Sequence, residues 1–171
     1  QVRSGYTFIQ DASAGIRIFS STLEGQGIAV GDRIEVSGTV ALFNQDYQIA
    51  TPTLRARDPA FGSVAPVSLT TAAAGAAGAG DDPLMGSLVR LTKAQVIGYG
   101  TGSNARNATV NDGTGATQVR IESAVGATEP AAQALMGVGK CYNVTGPLGT
   151  FNGTAQVFPR TVADIVEVPC T

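Results

Sequence analysis

Apolar and polar residues alternate along much of the chain, which is the spacing of β-strands that bury one face. The alternation is clearest in residues 33–42, where one side carries Ile34, Val36, Val40 and Leu42. Residues 141–148 and 154–158 alternate in the same way and flank Asn152-Gly153. Asn-Gly between two such stretches is the strongest short signal for a β-hairpin. The pattern predicts an all-β protein.

This strand pattern occurs twice in the chain. Residues 30–49 match residues 138–157 at an offset of 108, and the identical pairs are Val30/Val138, Gly31/Gly139, Val36/Val144, Gly38/Gly146, Phe43/Phe151, Asn44/Asn152 and Gln48/Gln156. Upstream, residues 9–18 match residues 110–121, and we assign the difference in length to a two-residue insertion in the turn. A period of about 100 residues has the size of a domain, so the pattern indicates a duplicated domain rather than a solenoid.

The second copy shows the element order of an OB-fold. A predicted first strand at residues 87–100 precedes one hairpin, and a second hairpin follows a short predicted helix at residues 127–137. Thr128 is the expected N-cap of this helix, with Glu129 near its start and Gly137 at its end. OB-folds are five-stranded barrels with a helix between their third and fourth strands. We therefore expect two tandem OB-like five-strand barrels.

The predicted organisation is a first barrel at residues 1–63, a loosely helical or irregular connector at residues 64–86, and a second barrel at residues 87–171. The first barrel lacks its own first strand, because only residues 1–5 precede its second strand. An open sheet edge is a template for pairing. Three explanations stay open: the chain is a fragment, the connector segment PVSLT (66–70) fills the slot, or another molecule supplies the strand by β-addition.

Cys141 and Cys170 are the only cysteines. An even count without other sulfur chemistry favours a disulfide formed in an oxidising compartment, and two buried free thiols are the alternative. Closing a loop of about 30 residues stabilises a fold by roughly 3.5 kcal/mol in the chain-entropy model. Gln1 either follows a removed leader peptide or marks an arbitrary start.

The chain has no histidine, which excludes Ser-His-Asp, Cys-His and His-ligated metal sites. Asp81 and Asp82 are adjacent carboxylates in a Gly-rich stretch, where a solvated turn explains them better than acid–base chemistry. Asp11 and Asp112 occupy equivalent turns, where aspartate hydrogen-bonds its own backbone. Calcium is the weaker alternative, because neither turn has enough oxygen ligands. We expect no enzymatic activity, no cofactor and no metal site.

Aromatic and basic residues on the second and third strands are the usual means by which OB-folds bind single-stranded nucleic acid. Phe8, Arg17 and Phe19 form a candidate ligand or interface face of this kind in the first copy. The alternative is that the two rings pack against a neighbouring strand, domain or subunit. The net charge of −2 disfavours nucleic acid as a partner. Phe43 and Phe151, at equivalent hairpin ends, are expected to staple the barrels.

Three stretches carry a family resemblance: GYTFIQD…GIRIF…VGDRIEVSGTVALFNQDYQI, then PVSLT…DDPLMGSLVRLTKAQV, then VNDGTGATQVRI. Together they resemble the tandem OB-fold region of large secreted bacterial nucleases of the endonuclease/exonuclease/phosphatase type. The resemblance covers nearly the whole chain and implies an OB-fold and an extracytoplasmic location. In that family a separate domain rich in His, Asp and Asn carries the cleavage chemistry, and nothing in this chain matches that domain. The chain also departs from the family in lacking the first strand of copy one.

The sequence therefore predicts a secreted, non-catalytic protein with two tandem OB-folds. The leading hypothesis is a structural, self-assembling extracellular subunit of a fibre or surface assembly, whose partners are other copies of itself. A strand from a neighbouring copy would complete the first barrel. The alternative is a nucleic-acid-binding module of a secreted nuclease. No apolar stretch has the roughly 18 residues that a membrane-spanning helix needs, so we expect no membrane span.

Overall fold

The computed structural model describes residues 2–3, 6–19, 23–78, 82–102, 106–122, 125 and 129–171. Strands account for 52% of it and helices for 12%, which confirms the all-β class. The described strands are β1 (Val2–Arg3), β2 (Tyr6–Gln10), β3 (Gly15–Phe19), β4 (Arg33–Phe43), β5 (Asp46–Asp58), β6 (Val67–Leu69), β7 (Leu88–Tyr99), β8 (Asn107–Asn111), β9 (Ala116–Arg120), β10 (Cys141–Phe151), β11 (Thr154–Val157) and β12 (Ile165–Val168). The described α-helices are α1 (Thr71–Ala76) and α2 (Glu129–Leu135).

The strands form two sheets with the same order of neighbours. The first sheet, here called the first repeat, has the order β1-β2-β3-β5-β4, in which β3 and β5 are parallel and the other pairs are antiparallel. In the second repeat, β7 to β12, the order β7-β8-β9-β11-β10 is the same, and β10 also pairs with β7. These five strands therefore close into a ring of pairings. β6 lies beside β7, and β12 lies beside β10.

Strand register relates the two repeats residue by residue. In the first repeat Arg17 lies opposite Gln48. In the second repeat Gln118 lies opposite Gln156, which is the counterpart of Gln48. Arg17 therefore corresponds to Gln118 and not to Arg120, and the predicted two-residue insertion in the turn is wrong. Both turns have the same length because an aspartate closes each of them, accepting hydrogen bonds from the backbone and hydroxyl of the residue two positions further on.

The offset between the repeats grows from 101 in the first hairpin to 108 at β4, because the second repeat is longer between its third and fourth strands. That longer segment contains α2, which lies within the predicted residues 127–137. The predicted cap Thr128 lies outside the described residues. In the connector, the hydroxyl of Thr70 accepts a hydrogen bond from the backbone of Ala73 at 3.1 Å and so caps α1.

The second repeat has the larger hydrophobic core. Strands β7 to β11 and both helices contribute to it, and its fully buried side chains include Val89, Leu91, Val110, Val119, Val144 and Leu148. In the first repeat the buried cluster consists of Ile18, Leu23 and Ile28, with Ile34, Val36 and Ile49 only partly covered. The described part of the first repeat has no long strand corresponding to β7, so its interior is open on one side.

The connector strand β6 belongs to the second repeat. It runs parallel to β7, with Val67 opposite Val89 and Leu69 opposite Leu91. The explanation in which PVSLT (66–70) fills the slot of the first copy is therefore wrong.

The predicted disulfide is present. Cys141 at the start of β10 is bonded to Cys170, which follows β12. The bond therefore ties the segment after β12 to the start of β10. In the part of the chain that the structure describes, neither helix has the length and apolar character needed to cross a membrane.

Candidate functional site

A groove lies between β2 and β4 of the first repeat, in the place that β7 takes in the second. There, β7 pairs with β8 on one side and with β10 on the other. The corresponding strands β2 and β4 instead border a cavity of about 1020 Å³. Its apolar lining includes Ile9, Ile16, Ile34, Val36, Leu88 and Pro147. Small-molecule pockets span roughly 300–1,000 Å³, so this cavity is large even for that class and has room for a peptide strand.

Matched positions show that the interior of the first repeat is uncovered. Val40 and Leu148 are equivalent positions, because Val40 lies opposite Ile49 in the first repeat and Leu148 lies opposite Val157 in the second. Val40 is 64% exposed, whereas Leu148 is fully buried. Both side chains are apolar, so the difference comes from missing cover and not from the strand's own sequence. Because burying apolar area is worth about 25 cal/mol per Å², a partner that covers this face gains stability from it.

The short strand β1 lies at one end of the groove in the register of β7. Val2 pairs with Thr7 of β2, and Tyr99 of β7 pairs with Ala108, the residue of β8 that corresponds to Thr7. Within the described residues no other strand lies along this edge of β2. The edge therefore already pairs with two residues of a strand that runs antiparallel to β2, and the rest of the edge faces the cavity.

Asp32 fixes one wall of the groove. Its carboxylate accepts hydrogen bonds from the backbone of Ala29 at 2.9 Å and of Ala60 at 3.0 Å, and lies 2.7 Å from Nε of Arg57. The two backbone hydrogen bonds and the guanidinium together hold the pKa of Asp32 below its ordinary value. These contacts tie the segment after β5 to the start of β4.

The predicted ligand face of the first repeat is largely covered. Phe8 is 6% exposed, and its ring centre lies 5.9 Å from that of Phe158 in the second repeat. Arg17 forms an ion pair with Asp46, with Nη2 and Oδ2 2.9 Å apart. Burial raises the pKa of Asp46, and the charge of Arg17 and a hydrogen bond from the backbone of Thr150 oppose that shift. Phe8 and Asp46 thus lie in the contact between the repeats, so Phe8, Arg17 and Phe19 do not form one open platform.

Phe19 is the exposed member of the predicted face. It is 54% exposed and stacks on Phe43, which is 53% exposed, with ring centres 6.4 Å apart. Phe151, the counterpart of Phe43, is 48% exposed. The expectation that Phe43 and Phe151 staple the barrels is wrong, because both are the last residues of their strands and lie beyond the core.

Asp11 and Asp112 use their carboxylates in hydrogen bonds within the protein. Partial burial raises the pKa of Asp112, but hydrogen bonds from Thr114 and Thr71 outweigh that effect and lower the pKa to about 2. The pKa of Asp11 is also lowered to about 2, first by the hydroxyl of Ser13 and then by backbone N–H groups of the same turn. The two aspartates differ in one respect: among the described hydrogen bonds, only Asp112 accepts any from a residue of α1, and that residue is Thr71.

The adjacent carboxylates of the connector have one described member. Asp82 accepts a hydrogen bond from the backbone of Leu84 at 2.8 Å, as in a turn, and Asp81 lies outside the described residues. Among the residues whose placement is described, no group of three or more His, Cys, Asp or Glu side chains could hold a metal ion.

No protein-family model matches the chain, and no curated protein matches it either. Residue-level reasoning from the sequence missed the exposed apolar surface formed by Val40, Leu42 and Tyr47. The available signal was that residues 1–5 are too few for a long strand beside β2, because side chains that such a strand would cover are then exposed.

Proposed function

We propose that the protein is a non-catalytic assembly module whose first repeat accepts a β-strand from another copy of the chain. Both repeats are then OB-like barrels, the first completed by its neighbour. The observation that carries the proposal is the exposure of Val40 against the complete burial of its counterpart Leu148. An uncovered strand edge beside exposed apolar side chains is the surface that β-strand addition uses.

The second repeat supplies the template for the incoming strand. There β7 runs antiparallel to β10 from Cys141 to Pro147. The matched stretch of β4 is Arg33–Thr39, so the donated strand runs antiparallel to β4 along this stretch and antiparallel to β2 on its other side. Main-chain hydrogen bonds supply affinity in this mode of recognition, and alternate side chains that enter the interior supply specificity.

Single-stranded nucleic acid is less well supported as the ligand. Stacking a base requires an open aromatic face, and the second repeat covers Phe8. Arg17 is paired with Asp46, and the net charge of −2 gives no excess of basic groups for a phosphate backbone. We therefore favour a polypeptide strand as the ligand.

An extracellular location is part of the proposal. Disulfides persist in oxidising compartments and are rare in the cytosol, and the Cys141–Cys170 bond fits the former.

Light scattering over a range of protein concentrations tests the proposal. We expect the native chain to form species larger than a monomer as concentration rises. Val40→Lys should keep the chain monomeric, because Val40 directly follows the stretch Arg33–Thr39 that pairs with the donated strand, and an ammonium group there must be desolvated when the neighbour covers this face. At 64% exposure the substitution costs the monomer little.

Val138→Lys is the matched control. Val138 is also 64% exposed, but it lies in the second repeat, away from the groove. This variant should assemble like the native chain. A native chain that stays monomeric at all concentrations, or a Val40→Lys variant that assembles as well as the control, would contradict the proposal.

A further inference from the structure

We propose that Asn152 is a site of spontaneous conversion to isoaspartate, and that the product loosens the contact between the two repeats. Asn152 is the only asparagine of the chain that glycine follows. Asn152 and Gly153 form the turn between β10 and β11, and both residues are exposed. This site is independent of the groove and of the proposed function.

The conversion requires two groups of this turn to meet, the backbone nitrogen of Gly153 and the side-chain carbonyl carbon of Asn152. Glycine has no Cβ, so its backbone can approach another group more closely than that of any other residue. Among the described residues, no hydrogen bond holds the carboxamide of Asn152 or the backbone N–H of Gly153. The attacking nitrogen and the carbon that it attacks are therefore both available for the reaction.

The conversion consumes one water molecule and releases one ammonia molecule. Hydroxide removes the proton from the backbone nitrogen of Gly153, and this nitrogen forms a bond to Cγ of Asn152. The bond between Cγ and Nδ2 breaks, and the leaving amide group takes a proton from water and departs as ammonia, which restores the hydroxide. Water then opens the cyclic imide at one of its two carbonyl carbons and yields aspartate or isoaspartate.

The first repeat contains the equivalent turn without the glycine. Asn44 and Gln45 lie between β4 and β5 and have φ values of 50° and 64°, against 50° and 76° for Asn152 and Gly153. The two asparagines differ in the residue that follows and in exposure, since Asn44 is half-buried. The side chain of Gln45 hinders attack by its own backbone nitrogen, so we expect Asn44 to react more slowly.

The turn that contains Asn152 lies in the contact between the repeats. The backbone N–H of Asn152 donates a hydrogen bond to the carbonyl oxygen of Asn44 at 2.9 Å. A Cβ on Gly153 would lie 2.8 Å from Oε1 of Gln45, so the two turns also touch through this side chain. Isoaspartate routes the main chain through the former side chain and so adds a methylene group to the turn. The added length displaces the turn from Asn44 while β10 and β11 keep their register.

Peptide mapping of the folded native chain during incubation in mildly alkaline buffer tests the site. Mass spectrometry measures the replacement of the side-chain amide by a carboxyl group at each asparagine, and an isoaspartate-specific methyltransferase measures the isoaspartyl product. Asn152 should convert at least about tenfold faster than Asn44, which corresponds to a barrier lower by about 1.4 kcal/mol. Both rates should rise with pH, because hydroxide generates the attacking nitrogen.

Gly153→Gln separates the effect of the following residue from that of exposure. This variant copies the turn of the first repeat, in which Gln45 adopts a φ of 64°. It should slow conversion at Asn152 by at least about tenfold. Unchanged conversion in this variant would overturn the assignment, as would a native chain in which Asn152 does not convert or converts no faster than Asn44.

Hydrogen exchange tests the effect of the product on the contact between the repeats. The isoaspartyl chain is compared with Asn152→Asp, which carries the same charge on an unchanged main chain. The amides of β4 and β5 should exchange at least about tenfold faster in the isoaspartyl chain, because the first repeat then opens more often. Asn152→Asp should exchange like the native chain. Equal exchange in the isoaspartyl chain and in Asn152→Asp would show that the product does not loosen the contact.

Discussion

Asp112 connects the turn between β8 and β9 to the start of α1, and protonating it should break that connection. Its pKa is about 2 in the folded chain against an ordinary 3.8, so the unfolded chain binds the proton more tightly. Its contribution to stability is therefore complete well above pH 3.8 and is lost as the pH falls from 3.8 to about 2. We expect Asp112→Ala to lower the free energy of unfolding at pH 7 by about 1–3 kcal/mol. Urea denaturation at a series of pH values should show this difference vanish in acid.

Asp11→Ala is the control for this prediction, because the described hydrogen bonds of Asp11 stay within its own turn. Hydrogen exchange separates the two variants. The backbone amide of Thr71 should lose protection in Asp112→Ala and keep it in Asp11→Ala. Equal protection of that amide in both variants would show that Asp112 does not hold α1.

Single residues also show where reasoning from the sequence stops. The alternation of β2 and β3 puts Ile18 in the interior of the first repeat and Phe8 on the opposite face of the sheet. It does not show that Phe158, far along the chain, covers that opposite face. Val40 has the apolar character of a core residue and is nevertheless exposed. Alternation assigns a side chain to a face, whereas the burial of that face depends on contacts between distant segments.

At the scale of the elements, the sequence predicted the hairpins correctly, but it did not predict the correct alignment of the hairpin β2–β3 with the hairpin β8–β9. The apolar residues of β3 and β9 are similar enough that matching by residue type placed a two-residue insertion in the turn. The turn chemistry held the correct signal, since Asp11-x-Ser13 and Asp112-x-Thr114 form the same hydrogen bonds at an offset of 101. Side-chain to backbone hydrogen bonds set the length of such a turn, whereas apolar residues two positions apart in a strand are interchangeable.

The disulfide should stabilise the element formed by β10 and β12. The two strands pair over four residues each, from Cys141 opposite Val168 to Val144 opposite Ile165. The bond joins residues 29 apart in the sequence, so replacing both cysteines by alanine should cost roughly 3.5 kcal/mol in the chain-entropy model. Urea denaturation measures the loss, and hydrogen exchange should show it first in the amides of β12.

A reducing agent provides the control for this variant. It should destabilise the native chain by about the same amount as the double substitution and leave the variant unchanged. If the reducing agent also destabilised the variant, its effect could not be assigned to the Cys141–Cys170 bond.

At the scale of the whole molecule, the internal repeat predicted two units with the same strand order, but it did not predict which residues of the two units are in contact. The contact includes Phe8 against Phe158 and the backbone of Asn152, which donates a hydrogen bond to the carbonyl oxygen of Asn44 at 2.9 Å. No such contact exists within a single copy, so comparing the copies could not reveal it. The first repeat has few buried side chains of its own, so we expect its stability to depend on this contact.

Gly15 in the first repeat lies against the backbone of Gly86, in the turn that precedes β7. A Cβ on this residue would overlap the carbonyl carbon of Gly86, so Gly15→Ala has to push the repeats apart. Overpacking of this kind costs about 1–3 kcal/mol. We expect the native chain to unfold in one transition and Gly15→Ala in two, with the amides of β4 and β5 losing protection from hydrogen exchange before those of β8 and β9. Gly62→Ala is the control, because a Cβ there has no neighbour within 4 Å, and it should unfold like the native chain. A single transition shared by all amides of Gly15→Ala would mean that the stability of the first repeat does not depend on its contact with the second.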